Sequence, residues 1–95
     1  MAAYVVVEST VTDPERYRVY RDLALVAVSK YGGRFLVRGG KTEILEGDWQ
    51  PDRLVIVEFP SVEVIRRFYD SPEYLAARAA RAEAADFAML VVEGA

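Results

Sequence analysis

The 95-residue chain contains no cysteine and no histidine. Without cysteine there is no disulfide, no thiol nucleophile and no zinc–thiolate site. Without histidine the commonest general base at neutral pH and the commonest side-chain ligand for metals and haem are missing, and neither a Ser-His-Asp nor a Cys-His arrangement can be assembled. Chemistry is left to carboxylates, arginine, tyrosine, serine, threonine, lysine and tryptophan. Long apolar runs are lacking too, since Leu54 to Val57 and Ala88 to Val92 are only strand-sized, and no membrane span is expected. The opening Met1-Ala2-Ala3-Tyr4-Val5 has no basic region leading into an apolar stretch, so the expectation is a cytoplasmic protein. Nor is there an excess of positive charge. Twelve Lys and Arg against 15 Asp and Glu leave a net charge of −3, which repels nucleic acid and anionic membranes as partners.

Two further absences narrow the chemistry. Glu43, Glu46, Asp48 and Asp52 follow no cation-loop pattern, so no metal is expected. Gly39-Gly40-Lys41 has neither Walker nor dinucleotide spacing, and no cofactor is expected.

What is present is a patterned α+β chain whose length fits one domain, residues 1–95. Tyr4 to Val11 is rich in β-branched residues and reads as a strand. Thr12-Asp13-Pro14-Glu15 then supplies a cap, an early proline and a capping-box glutamate for a helix that Gly32-Gly33 stops near Tyr31. Its core stripe is Tyr17, Tyr20, Leu23, Ala24, Ala27, Val28 and Tyr31, while Val19, Leu25 and Val26 on the other side mark either a contact surface or scattered surface aliphatics.

Arg34 to Arg38 is a second strand, broken or bulged by Gly39-Gly40, and Lys41 to Glu46 is expected to resume in extended form. After a turn-rich loop around Trp49, Arg53 to Phe59 is the most hydrophobic strand. Pro60-Ser61 begins a helix, Asp70-Ser71-Pro72-Glu73 restarts it as an Ala-rich segment to about Ala84, and Phe87 to Glu93 closes the order as a strand.

This order, β-α-β-(β)-β-α-β, is the ferredoxin-like plan: an antiparallel sheet with helices on one face. In the first strand Val5 and Val7 oppose Tyr4, Val6 and Glu8; in the central one Val55, Val57 and Phe59 oppose Leu54, Ile56 and Glu58. Both faces are largely apolar, which predicts that a second sheet packs on the open one as a homodimer.

The stretches Tyr31-Gly32-Gly33-Arg34-Phe35-Leu36-Val37-Arg38-Gly39-Gly40, Leu45-Glu46-Gly47-Asp48-Trp49-Gln50-Pro51, Val57-Glu58-Phe59-Pro60-Ser61 and Phe68-Tyr69-Asp70-Ser71-Pro72-Glu73-Tyr74 resemble the domain-of-unknown-function family 1330. That family is similar to the dimeric α/β-barrel superfamily, which includes cofactor-free monooxygenases, muconolactone isomerase-like proteins and haem-degrading enzymes. The resemblance implies a pairing of two copies into a dimeric α/β barrel. Haem chemistry would lack the usual histidine ligand.

The candidate site residues are charges and aromatics on or beside apolar strands: Glu8, Arg34, Arg38, Glu58 and Trp49. Arginine could fix a carboxylate or enolate and Glu58 could accept a proton, with Tyr20 as an acid or oxyanion donor. Arg38, Glu58 and Tyr20 are thus the catalytic candidates. Arg34, Trp49, Tyr69, Tyr74 and Arg78 are the ligand-binding candidates, Tyr74, Arg78 and Arg81 sharing one side of the last helix. The competing readings are cross-strand ion pairs, core tyrosines, an interface plug at Trp49 and a solvated basic stripe. Two functions follow: a small-molecule binder or cofactor-independent monooxygenase- or isomerase-like enzyme for a small aromatic or anionic ligand, or a non-catalytic dimeric module.

Overall fold

The computed structural model describes residues Met1–Ala95. Seven elements follow one another: β1 (Ala3–Val11), α1 (Pro14–Lys30), β2 (Arg34–Arg38), β3 (Arg53–Phe59), α2 (Val62–Tyr69), α3 (Pro72–Arg81) and β4 (Ala85–Glu93). The strands form one antiparallel sheet in the order β2-β3-β1-β4. Each helical connection therefore passes over one strand, β3 or β1, which is the ferredoxin-like arrangement.

Local chemistry sets the boundaries. Asp13 caps α1 by accepting a hydrogen bond from the Arg16 backbone N–H at 3.2 Å, with Pro14 in the first turn. Ser61 caps α2 in the same way through Val64. Ser71 is buried between α2 and α3, where its hydroxyl donates to the Phe68 carbonyl at 2.7 Å and accepts from the Tyr74 N–H at 3.1 Å. One side chain thus ends one helix and starts the next. Lys30 donates to Glu73 at 2.6 Å, joining the C-terminal end of α1 to the N-terminal end of α3 with the charges that suit both helix dipoles.

The helices cover one face only. Val5, Val7, Val55, Val57 and Phe59 point into the core, where they meet Tyr17, Tyr20, Ala24, Ala27 and Val28 of α1 and Ile65, Phe68 and Tyr74 of α2 and α3. Gly33 sits where the chain enters β2, so close to the core that a Cβ would fall 2.7 Å from Val28 and 2.8 Å from the Phe59 ring. With one helical layer on one sheet, the Cα positions span only 16 Å along the shortest axis.

The other face is bare. Across all four strands runs the row Val37, Ile56, Val6 and Leu90, each paired to the next in register. Leu90 is 57% exposed. On the outer side of α1, Val19, Leu25 and Val26 are exposed as well.

One expected element is absent. Lys41 to Glu46, read as extended and strand-like, forms no strand and lies exposed. Gly39, at φ 75°, donates its N–H to the Leu54 carbonyl at 2.8 Å and turns the chain away from the sheet. Beyond that turn the segment has no neighbouring strand, so its alternating side chains have nothing to pair with.

Candidate functional site

Between the helix-facing side of the sheet and the helices is a cavity of about 40 Å³ whose lining is apolar and aromatic except for three arginines, Arg21, Arg38 and Arg53. Tyr17, Tyr20, Arg21, Ala24 and Val28 come from one stripe of α1, at spacings of three and four residues. Arg53, Val55, Val57 and Phe59 come from alternate positions of β3. Phe35 and Arg38 come from β2 and Tyr74 from α3.

Three tyrosine hydroxyls are placed among these walls. Tyr20 and Tyr74 share a buried hydrogen bond at 2.9 Å, and Tyr17 shares one with buried Ser9 at 3.2 Å. The Tyr74 hydroxyl also points at the Met89 sulfur, 3.8 Å away. Arg81 lies over Phe87 at 3.9 Å and flanks the Tyr20 ring at 5.8 Å. Burial pushes the Tyr20 hydroxyl far above the ordinary tyrosine value, and the neighbouring Tyr74 and Tyr17 add to the shift against the opposing pull of Arg81. Burial raises Tyr74 as well, although its bond to Tyr20 and the charge of Arg81 work the other way. Both phenols are therefore neutral at physiological pH. With Tyr74 directed at Met89, the Tyr20 proton lies in the Tyr20–Tyr74 bond. Tyr20 thus serves a carbonyl or oxyanion only by exchanging that partner, and neither phenol is suited to proton removal.

A pH dependence follows. Above the ordinary tyrosine value of 10.0 the unfolded chain loses phenolic protons that the folded chain keeps. Stability is then flat below that value and falls above it, by up to about 1.4 kcal/mol per pH unit for each phenol. Tyr20→Phe removes the larger shift, so urea denaturation followed between about pH 9 and 11 gives a shallower decline than the parent chain. Equal slopes would contradict the buried Tyr20–Tyr74 pair.

The other candidates are divided by the sheet. Arg34 and Glu58 face each other on the bare face and form an ion pair at 2.8 Å, and Tyr4 donates to the second Glu58 oxygen at 3.3 Å. Glu8, also on that face, accepts a hydrogen bond from the Trp49 indole at 2.6 Å, which ties the loop 39–52 to the sheet. Arg38 is not with them. The register of β2 against β3 shifts between Phe35 and Val37, so Leu36 forms a bulge and Arg38 pairs opposite Val55 on the cavity side, over the Phe35 ring at 4.4 Å. Four residues of regular strand would have kept Arg34 and Arg38 on one face.

Tyr74 lies on the inward-facing side of α3, which it shares with Arg81. It is 1% exposed and stacks within 4.4 Å of Phe68, while Arg78 lies over Tyr69 at 4.2 Å beside an open groove between α3 and β4. Of the catalytic candidates, Arg38 and Tyr20 meet at the cavity and Glu58 does not. Arg21 and Arg53, not singled out from the sequence, complete it. Both had a signal: Arg21 interrupts the apolar stripe four residues after Tyr17, and Arg53 is in phase with Val55, Val57 and Phe59.

These features define a class: a ferredoxin-like α+β domain with an arginine-edged cavity between its layers and an apolar sheet face left open. The chain belongs to the domain-of-unknown-function family DUF1330, which it matches over residues 2–95. No curated protein matches it in sequence. Among solved structures it is similar to a protein of unknown function from Rhodopseudomonas palustris, with 20% identity and a TM-score of 0.78, covering 99% of this chain and 82% of that one. It is also similar to SnoaB, a cofactor-independent oxygenase from Streptomyces nogalater, with 13% identity and a TM-score of 0.68 over 99% of this chain and 93% of that one. A dimeric ferredoxin-like protein of unknown function from Jannaschia sp. CCS1 shares 9% identity at a TM-score of 0.72, covering 99% and 100% of the two chains. At these identities the likeness is one of fold. No helix is long and apolar enough to cross a membrane.

Proposed function

We propose that this protein binds a small, largely apolar molecule in the cavity between sheet and helices, and that it does so as a homodimer closed over the open sheet face. The observation that carries this reading is the neutral Tyr20–Tyr74 pair set in an apolar cavity edged by arginine. Paired phenols in a core need no neighbouring cation or space; a binding site uses both. Dimeric relatives of the same fold and the apolar row Val37, Ile56, Val6 and Leu90 support the homodimer.

The chemistry open to such a site is cofactor-independent. No carboxylate lines the cavity, so no side chain there removes a proton as a strong base. The substrate must be acidic or electron-rich in its own right, with Tyr20 turning its proton from Tyr74 to a developing oxyanion and arginine balancing its charge. Oxygenation of an electron-rich aromatic, as the likeness to SnoaB favours, or isomerisation through an enolate meets that requirement.

A second reading, a non-catalytic dimeric module, draws on the open face, where Glu58 and Glu8 are both satisfied by partners of the same chain. The two separate in a nuclear magnetic resonance titration with small phenols, aromatic acids and lactones. Ligand-induced shifts clustered at Tyr20, Ala24 and Val55, and abolished by Tyr20→Phe with Arg38→Gln, are expected of the binder. Shifts absent, or spread over Val6, Ile56 and Leu90 alone, would leave the module standing.

A further inference from the structure

We infer that Arg21, Arg38 and Arg53 form a docking point for a carboxylate, so that the occupant of the cavity is an organic acid with an apolar body. This rests on the cavity being a ligand site and adds the charge of what it takes. The three arginines come from α1, β2 and β3, yet they converge. Arg38 pairs opposite Val55, and Arg53 precedes Val55 by two residues on the same face, which makes the two arginines diagonal neighbours on adjacent strands. Arg53 lies by the Tyr17 ring at 5.8 Å, and Arg21 stands one turn after Tyr17 on α1.

None of the three is neutralised. The ion pairs of the protein are Arg16 with Glu83, Lys30 with Glu73 and Arg34 with Glu58. Acidic residues outnumber basic ones in the chain, and still no carboxylate lines the cavity. Asp52, adjacent to Arg53 in sequence, is bonded to Thr10 at 2.9 Å. The Nε of Arg53 is buried without an acceptor, an arrangement that native structures avoid because a charged donor has lost its water. Its guanidinium passes close to Gly39, at φ 75°, where the absence of a Cβ leaves it room. An unpaired guanidinium at the edge of an apolar cavity is prepared for a planar two-oxygen anion, which it can grip through parallel hydrogen bonds. Arg21 and Arg38 are exposed, so a ligand reaches them from solvent.

The test sets acids against amides of the same shape, graded in size because the cavity of about 40 Å³ must widen to admit a ring: acetate with acetamide, propionate with propionamide, benzoate with benzamide, each titrated calorimetrically into the purified protein at low salt. The expected result is that acids bind about 10-fold or more tightly than their amides. Arg38→Gln and Arg53→Gln should each remove most of that preference by weakening acids far more than amides, with folding checked by thermal melting. Arg78→Gln, at the separate groove beside Tyr69, should leave both unchanged. Amides that bind as well as acids, or acids indifferent to both substitutions, would overturn the anion site while the cavity reading survives. Failure of every acid and amide to bind at millimolar concentration would overturn the two together.

Discussion

Replacing Phe68 with alanine is expected to lower the unfolding free energy by about 3–5 kcal/mol. Phe68 is 2% exposed and its ring is the hub of an aromatic cluster, with centroids 4.9 Å from Phe59, 4.4 Å from Tyr74 and 6.3 Å from Tyr31. Those three residues come from β3, the start of α3 and the end of α1, so one truncation loosens the junction of three elements. The eight residues of α2 have only two buried anchors, Ile65 and Phe68, and a helix that short holds its shape through packing rather than propensity. A chain of this size has about 5–15 kcal/mol of total stability, so the variant lies near the limit of folding. Urea denaturation followed by circular dichroism measures the loss. Phe68→Leu, which keeps much of the volume, should cost clearly less. A cost below about 1 kcal/mol for Phe68→Ala would mean that α2 is not docked through this ring.

Where local chemistry decides, the sequence is readable. Proline and capping residues at Asp13-Pro14, Ser61 and Ser71-Pro72 start the three helices where the side chains accept the backbone N–H groups. Alternation along β1 and β3 separates a helix-covered face from a bare one as the structure does. Misreadings arise where tertiary geometry overrides period. The bulge at Leu36 leaves no mark in a five-residue strand, yet it moves Arg38 from the face of Arg34 to the cavity. Lys41 to Glu46 has strand-like alternation but no adjoining strand. Tyr74 shares a helical side with Arg81, but that side, with Ala77, faces the core rather than solvent, so its ring is buried. For the candidate site, residue types were legible and their grouping was not. Arg53 joins Arg38 through the pairing of β2 with β3, and Arg21 joins both through the α1 crossover, long-range arrangements that spacing along the chain does not encode.

Val6→Asp is expected to convert the proposed homodimer to monomers. Val6 lies on a central strand, between Ile56 of β3 and Leu90 of β4, in the middle of the apolar row. The flanking rows are already occupied by polar groups with partners in the same chain, Arg34, Glu58 and Tyr4 on one side and Glu8 with Trp49 on the other. The apolar row is thus what a second sheet would cover, and a carboxylate there finds no free cation. An unpaired charge buried in an interface costs about 3–5 kcal/mol. A two-fold symmetric contact incurs that cost twice, enough to weaken association by several orders of magnitude. Sedimentation velocity at micromolar concentration should show a dimer for the parent chain and a monomer for Val6→Asp. Val26→Asp, on the exposed outer side of α1, serves as the opposite arm. If Val26→Asp dissociates the protein and Val6→Asp does not, the helices form the interface and the sheet face awaits another partner. If Val6→Asp alone dissociates it, the open face is the one that the second copy covers, and the cavity on the other side of each sheet remains open to the ligand proposed for it.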